Sequence, residues 1–267
     1  MNYLMETDST KASVIIANYN NEKYLDECLS SLNQQSYKNL EIIIFDDASQ
    51  DNSVSKIKKY KGIKFIQNKE KKNCHGSINQ INSYKKAFQV CSGEIIFFLD
   101  SDDFFHENKI EIILDHFNKN INDQIIFDLP FIKYEKKLIK KKNKKKIIQN
   151  YWPYIPPQSC ISIRKKTLEK MFDYIEIKDF YDIWFDFRIA IFAKYIIKNF
   201  FILDKNLTYY RKVNTGVSSN FKFLSKKWWN RRKQAHNYVK FFFDKNKIKH
   251  KKNIDYFITK SINHFIS

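Results

Sequence analysis

The stretch Gly93-Glu94-Ile95-Ile96-Phe97-Phe98-Leu99-Asp100-Ser101-Asp102-Asp103-Phe104 decides the fold. Its apolar run, β-branched and aromatic, predicts a buried strand over 94–99. The acidic turn that follows stops the strand. Three carboxylates within four residues repel one another, and a divalent cation relieves that repulsion. An acidic helix-capping loop would be the plainer reading, but a cap needs one Asp.

The pattern repeats upstream. Ala12 to Ala17 reads as a buried strand, broken by Asn18-Tyr19-Asn20-Asn21. Residues 22–35 place Tyr24, Leu25, Cys28, Leu29 and Leu32 on one helical face. Residues 40–45 form a second strand ending at Asp46-Asp47-Ala48-Ser49. Asp51 or Ser49 can cap the helix expected next, through Tyr60. A third strand is expected over 63–67, a helix over 77–90, and a further helix over 108–117. Strands alternating with helices imply an α/β fold with a mostly parallel sheet covered on both faces. Ligands bind such sheets at the carboxyl edge. Both acidic turns follow strands, so they are expected on one rim. There Asp46 or Asp47 can accept hydrogen bonds from a base N–H or from ribose hydroxyls, and Tyr19 can pack on a base.

The order and spacing of these blocks resemble family 2 glycosyltransferases, which have the GT-A fold. The matching residues are Ser13 to Asn20, Tyr24-Leu25, Cys28 to Leu32, Gln35 to Ser49, Asp51 to Ser53 and Gly93 to Phe104. The resemblance is strong over 12–120 and weaker beyond. It implies an inverting transferase that moves a sugar from a nucleotide-sugar, UDP being the nucleotide most used in the family. The acceptor would be a glycan or a lipid-linked hydroxyl in surface polysaccharide synthesis. It also implies roles. Asp46 or Asp47 contacts the base, Tyr19 lines its pocket, and Ala17 and Ser101 lie along the donor. Asp100 and Asp102 form a D-x-D motif for Mn²⁺ or Mg²⁺, with Asp102 the direct ligand and Asp103 beside the donor sugar. Lys85 falls where many members carry an Arg. Asp182 stands six residues before Arg188, the family spacing for the catalytic base, with Asp179 and Asp186 as rivals. Arg211 and Lys212 would neutralise diphosphate or orient their loop, and Val213 stands near a position where many members have His.

The resemblance and the chain's punctuation divide it into a leader (1–11), a nucleotide-sugar-binding half (12–132), a basic connecting segment (133–150), an acceptor-side half (151–220) and basic aromatic helices (221–267). Within that second part, helix is expected over 181–193, short strands over 201–203 and 208–211, and helices over 221–243 and 253–265. The net charge of +19 suits a phosphorylated ligand or an anionic surface. Lys226 to Lys233 interleaves Trp228 and Trp229 with basic residues, the composition of a nucleic-acid or membrane-surface segment. A nucleic-acid- or membrane-binding basic protein on a non-catalytic GT-A scaffold is therefore the rival reading. The preferred reading needs no nucleic acid and allows peripheral contact with an anionic membrane. Neither a Gly-rich loop nor G-x-G-x-x-G follows the first strand, which disfavours a sugar nucleotidyltransferase and a dehydrogenase. Cys28, Cys74, Cys91 and Cys160 are scattered, without zinc-site spacing. No secretory signal and no apolar run near ~20 residues is read as cytoplasmic, on or near the inner face of the membrane.

Overall fold

A computed structural model describes residues 10–71, 75–142, 152–153, 156–175, 177, 179–213, 216–249 and 252–266. Residues 1–9 of the leader, Cys74 and residues 143–150 of the basic segment lie outside them.

The elements run β1 (Ala12–Asn18), α1 (Glu22–Asn33), β2 (Leu40–Asp46), α2 (Ser53–Ile57), β3 (Ile63–Gln67), α3 (Gly76–Phe88), β4 (Ile95–Asp100), β5 (Phe104–Phe105) and α4 (Lys109–Lys119). There follow β6 (Ile125–Lys133), β7 (Leu138–Lys140), β8 (Ile161–Arg164), α5 (Lys165–Tyr174), α6 (Phe185–Phe192), β9 (Phe200–Arg211), α7 (Lys226–Lys245) and α8 (Ile254–Ile266). The strands form one sheet in the order β3-β2-β1-β4-β8-β6-β9-β5, with β7 paired to β6.

The first four strands are parallel, as expected. Beyond β4 the sheet turns mixed: β8 runs antiparallel to both β4 and β6, while β6 and β9 are parallel. The first half of the sheet is wholly parallel, and the second adds short antiparallel pairs beside the long parallel β6–β9 pair. Sequence reading passed over β6, β8 and α5, and saw two short strands where β9 is continuous. Period-2 alternation explains the core. Ile15, Ile43, Phe45, Ile96 and Phe98 point to one face, packed under α3, α5 and α6. Val14, Ile16, Ile42, Ile44, Phe97 and Leu99 point to the other, under α1, α2 and α4. A third cluster joins α7 to Phe180, Ile183 and Ile191. Strand β6, before the basic segment, pairs with β8 and β9, which follow it.

The amino-terminal rim is bound tightly. Glu41 accepts from Ser13 Oγ (2.6 Å), Ser92 N (2.5 Å) and Lys64 Nζ (2.7 Å). Gly93 approaches so closely that a Cβ there would lie 2.7 Å from the Ala12 carbonyl carbon. That contact explains a residue without a side chain ahead of β4.

Candidate active site

The register sets Asn18 beside Asp46 and Ala17 beside Asp100, so both acidic turns share the carboxyl rim. There a cleft of about 490 Å³ opens, within the usual span for small-molecule sites. Its walls draw on the ends of β1, β2, β4 and β9, the start of α3, and α6.

The two aspartates of the first turn divide the work. Asp46 is fully buried and both its oxygens are engaged. Oδ2 accepts from Asn18 Nδ2 (2.7 Å) and Ser49 Oγ (2.6 Å), and Oδ1 accepts from Ser49 N (2.9 Å). These bonds close a turn in which Ala48 takes φ 60°, a left-handed conformation uncommon outside glycine. The turn delivers Asp47 to the cleft. Asp47 Oδ1 accepts from Asn68 Nδ2 (2.7 Å), while its Oδ2 is buried with no partner. Tyr19 lines the same end, with Lys71 Nζ 3.6 Å from its ring centre.

At the second turn, Asp100, Asp102 and Asp103 bring carboxylate oxygens within 4.8 Å of one another. Burial raises all three carboxyls, and mutual repulsion adds to it at Asp102, pushed up to about 7, and at Asp103. Asp103 is committed to the framework: it accepts from Ser159 Oγ (2.6 Å) and from Arg211 N (2.7 Å), and it does not line the cleft. Asp100 Oδ1 accepts from Tyr84 Oη (2.7 Å) and Gln80 Nε2 (2.8 Å). Asp102 lines the cleft beside it. Hard oxygen donors, crowded and held above their ordinary pKa, fit a divalent cation, with Asp100 and Asp102 as the residues that can reach it. Ser101 lines the cleft and its hydroxyl accepts from Asn21 Nδ2 (2.8 Å).

Besides Asp46 and Asp103, three further expected site residues stand elsewhere or do other work. Lys85 is exposed and lies over the Phe172 ring, away from the cleft. The position one residue earlier, Tyr84, faces the acidic turn instead. Arg211 bonds the Asp102 carbonyl through Nε (2.7 Å), pairs with Glu27 and packs on Tyr24. It lines the cleft, but Glu27 balances its charge, so it orients the acidic loop, while exposed Lys212 and Lys71 are further cations at the cleft rim. Asp182 does not start a helix. The fully buried Arg188 side chain bonds the Phe180 carbonyl (2.7 Å), which closes a turn and delays α6 until Phe185. Asp182 is then tied to α7: its carboxylate accepts from Gln234 Nε2 (2.9 Å) and its carbonyl from Arg231 Nε (2.6 Å). Asp179 is exposed, and neither lines the cleft. Asp186, in the first turn of α6, does. Burial raises its carboxyl to about 6.

Sequence reasoning missed Gln158, Trp184 and Tyr210, which line the cleft. Gln158 is buried with neither amide atom hydrogen-bonded. It lies in a stretch without periodicity, so no local signal marked it. Gln80 and Tyr84 were missed as well, although their i, i+4 spacing on α3 was a signal that could have marked them.

An α/β sheet with an Asp-x-Asp turn on its carboxyl rim and a mixed second half defines a GT-A scaffold. A crystal structure of Staphylococcus aureus TarS 1–349 in complex with UDP-GlcNAc has that fold: TM-score 0.62, 18% identity, covering 85% of this chain and 65% of that chain. The description Glycosyl transferase family 2 matches residues 13–196, and the chain belongs to that family. An uncharacterised glycosyltransferase of Nostoc sp. is 30% identical over 213 residues, 75% of this chain and 64% of that protein. The UDP-Glc:alpha-D-GlcNAc-diphosphoundecaprenol beta-1,3-glucosyltransferase WfgD of Escherichia coli is 34% identical over 115 residues, 42% of this chain and 43% of that protein. The chain thus spans less than two thirds of the length of each.

Proposed function

We propose that this protein is an inverting glycosyltransferase that moves a sugar from a UDP-sugar to a hydroxyl of a glycan or lipid-linked acceptor, in surface polysaccharide synthesis. One observation carries the reading. A free Asp47 oxygen, the Asp100–Asp102 carboxylates and Asp186 converge on a single cleft.

Asp47 Oδ2 accepts the base N–H, and Tyr19 supplies a face for the base. Lys212 meets the diphosphate at the rim. The Gln158 amide, with an N–H and a carbonyl oxygen both free, offers a donor and an acceptor to sugar hydroxyls. A cation at Asp100 and Asp102, Mn²⁺ or Mg²⁺, would supply the charge that stabilises the departing diphosphate. Asp186 takes the acceptor proton. Its carboxyl, raised toward neutrality by burial, is a stronger base than an ordinary Asp. The acceptor oxygen bonds to the anomeric carbon as the bond to the β-phosphate oxygen breaks, and the electron pair leaves with UDP. Attack from the opposite face inverts the anomeric configuration.

The test is a panel of nucleotide-sugars with Mn²⁺ or Mg²⁺, read by UDP release. Asp186→Asn is expected to lower turnover by at least about 10³-fold while UDP affinity is kept. Full activity in that variant would remove Asp186 as the base. No turnover by the parent protein with any donor would overturn the transferase reading.

A further inference from the structure

Helix α8 is amphipathic in the reverse of the usual sense. Its inward face sets polar groups beside half-buried Tyr256, Ile262 and Ile266. Asp255 pairs with Arg232 and accepts from Trp152 Nε1 (3.0 Å), and Asn263 Nδ2 donates to the Trp229 carbonyl (3.1 Å). Thr259 and Asn263 are its buried residues. The outward face carries Ile254, Phe257, Ile258 and Phe265, exposed by 79%, 56%, 48% and 84%. Their spacing of 3, 4 and 11 residues from Ile254 draws one stripe along the helix. The Asn263–Trp229 bond sets the end of α8 beside the segment that enters α7, where Phe223 is 76% exposed and packs on Trp228.

A stripe of this kind on a free protein needs a covering. Charge says which. Residues 221–267 hold thirteen Lys and Arg against two Asp, and both Asp are paired, Asp244 with Lys240 and Asp255 with Arg232. Lys252 and Lys260 of this region are exposed. Thirteen residues of helix are too short to cross a bilayer of about 30 Å. Among the described residues no helix is long and apolar enough to do so.

We propose that the outward face of α8, together with Phe223, lies in the interface of an anionic lipid bilayer. Apolar side chains enter the acyl boundary while the flanking lysines meet the headgroups. Of the stretch Lys226–Lys233, whose composition suits a nucleic acid or a membrane surface, only part is free for such contact: Lys226, Lys227 and Lys233 are exposed. There Arg231 is buried between the rings of Trp184 and Phe221, and Arg232 is paired with Asp255. The inference stands without the transferase reading. It also suits it, because cleft-lining Ser219 and Asn220 immediately precede this surface in the chain.

The test is co-sedimentation of the full chain with phosphatidylcholine vesicles, with and without phosphatidylglycerol. Binding to the anionic vesicles that weakens as salt rises is expected. Phe257→Ser combined with Phe265→Ser should weaken partition by at least about tenfold, with the melting temperature and UDP affinity kept. Both side chains are exposed, so the fold does not depend on them. Three results would overturn the proposal: no binding to anionic vesicles, unchanged binding by the double variant, or a dimer in solution that the double variant dissociates. The last would show a second copy covering the stripe.

Discussion

Asp46 and Asp47 are adjacent in sequence and opposite in role. Asp46 holds the turn with three hydrogen bonds, and Asp47 presents an unpartnered oxygen to the cleft. Asp47→Asn replaces an acceptor oxygen by an N–H donor or leaves a buried amide half-satisfied. UDP affinity is expected to fall by about ten- to a hundredfold, the equivalent of about 1.5–3 kcal/mol for a hydrogen bond to a charged group. Isothermal titration with UDP checks it, with the thermal melt as control. The melt should move little, because the Asp47 oxygen concerned bonds nothing in the free protein. Asp182 and Asp186 make a similar contrast. Four residues apart, they are separated by a turn that Arg188 closes, and the turn sends one to α7 and the other to the cleft.

At the scale of elements, the rim opposite the cleft secures β1, β2 and the approach to β4 through Glu41. Burial raises the Glu41 carboxyl, but bonds from Lys64, Ser13 and Ser92 outweigh it and hold it at about 2, against 4.5 when free. A depressed carboxylate stabilises the fold above its unfolded pKa and loses that contribution as pH falls toward the folded value. Solvent around half-exposed Lys64 screens the interaction, so the stabilisation is less than the roughly 3 kcal/mol that the shift alone would give. It is full above about pH 5 and gone near pH 2. Glu41→Gln should therefore be less stable than the parent at neutral pH, and the gap should close as pH drops through that window. Urea unfolding at a series of pH values measures it. A gap constant with pH would assign the loss to packing instead.

At the scale of the molecule, the hydrogen bonds that surround one buried ion pair tie the first half of the chain to the second. Lys109 of α4 meets Asp128 of β6 at 2.8 Å with both side chains fully buried. The same ammonium donates to the Ser159 carbonyl (2.6 Å) and to Thr208 Oγ1 of β9 (2.7 Å), and Thr208 Oγ1 donates to Asp128 (2.6 Å). Ser159 also holds Asp103, so this knot lies directly beneath the acidic turn. Asp128→Ala strands the ammonium in the core and should cost about 3–5 kcal/mol. Adding Lys109→Met should recover much of that loss, because an apolar pair needs no partner. Denaturant midpoints of the single and double variants decide it.

The first half of the fold was legible because its signals are local. An apolar run, an acidic turn at its end and a helical stripe each lie within about a dozen residues, and register then follows from parallel alternation. The strands β6 and β8 were not legible. They are buried in a mixed sheet between segments distant in the chain, and their short apolar runs look alike in strand, helix or loop. The site divided the same way. Residue types and spacing placed Asp46, Asp47, Asp100, Asp102 and Asp103 on one rim, with Tyr19 beside them. Which side chain is free, which is structural and which faces the cleft depends on partners: Ser159 for Asp103, Gln234 for Asp182 and Glu27 for Arg211. Those partners lie 56, 52 and 184 residues from the groups they bind. The sequence by itself determined the family, the scaffold and the rim, because those follow from short-range pattern. Only the tertiary structure decided the roles of single side chains and turned the apolar face of α8 outward, because hydrogen bonding and burial are settled by neighbours in space.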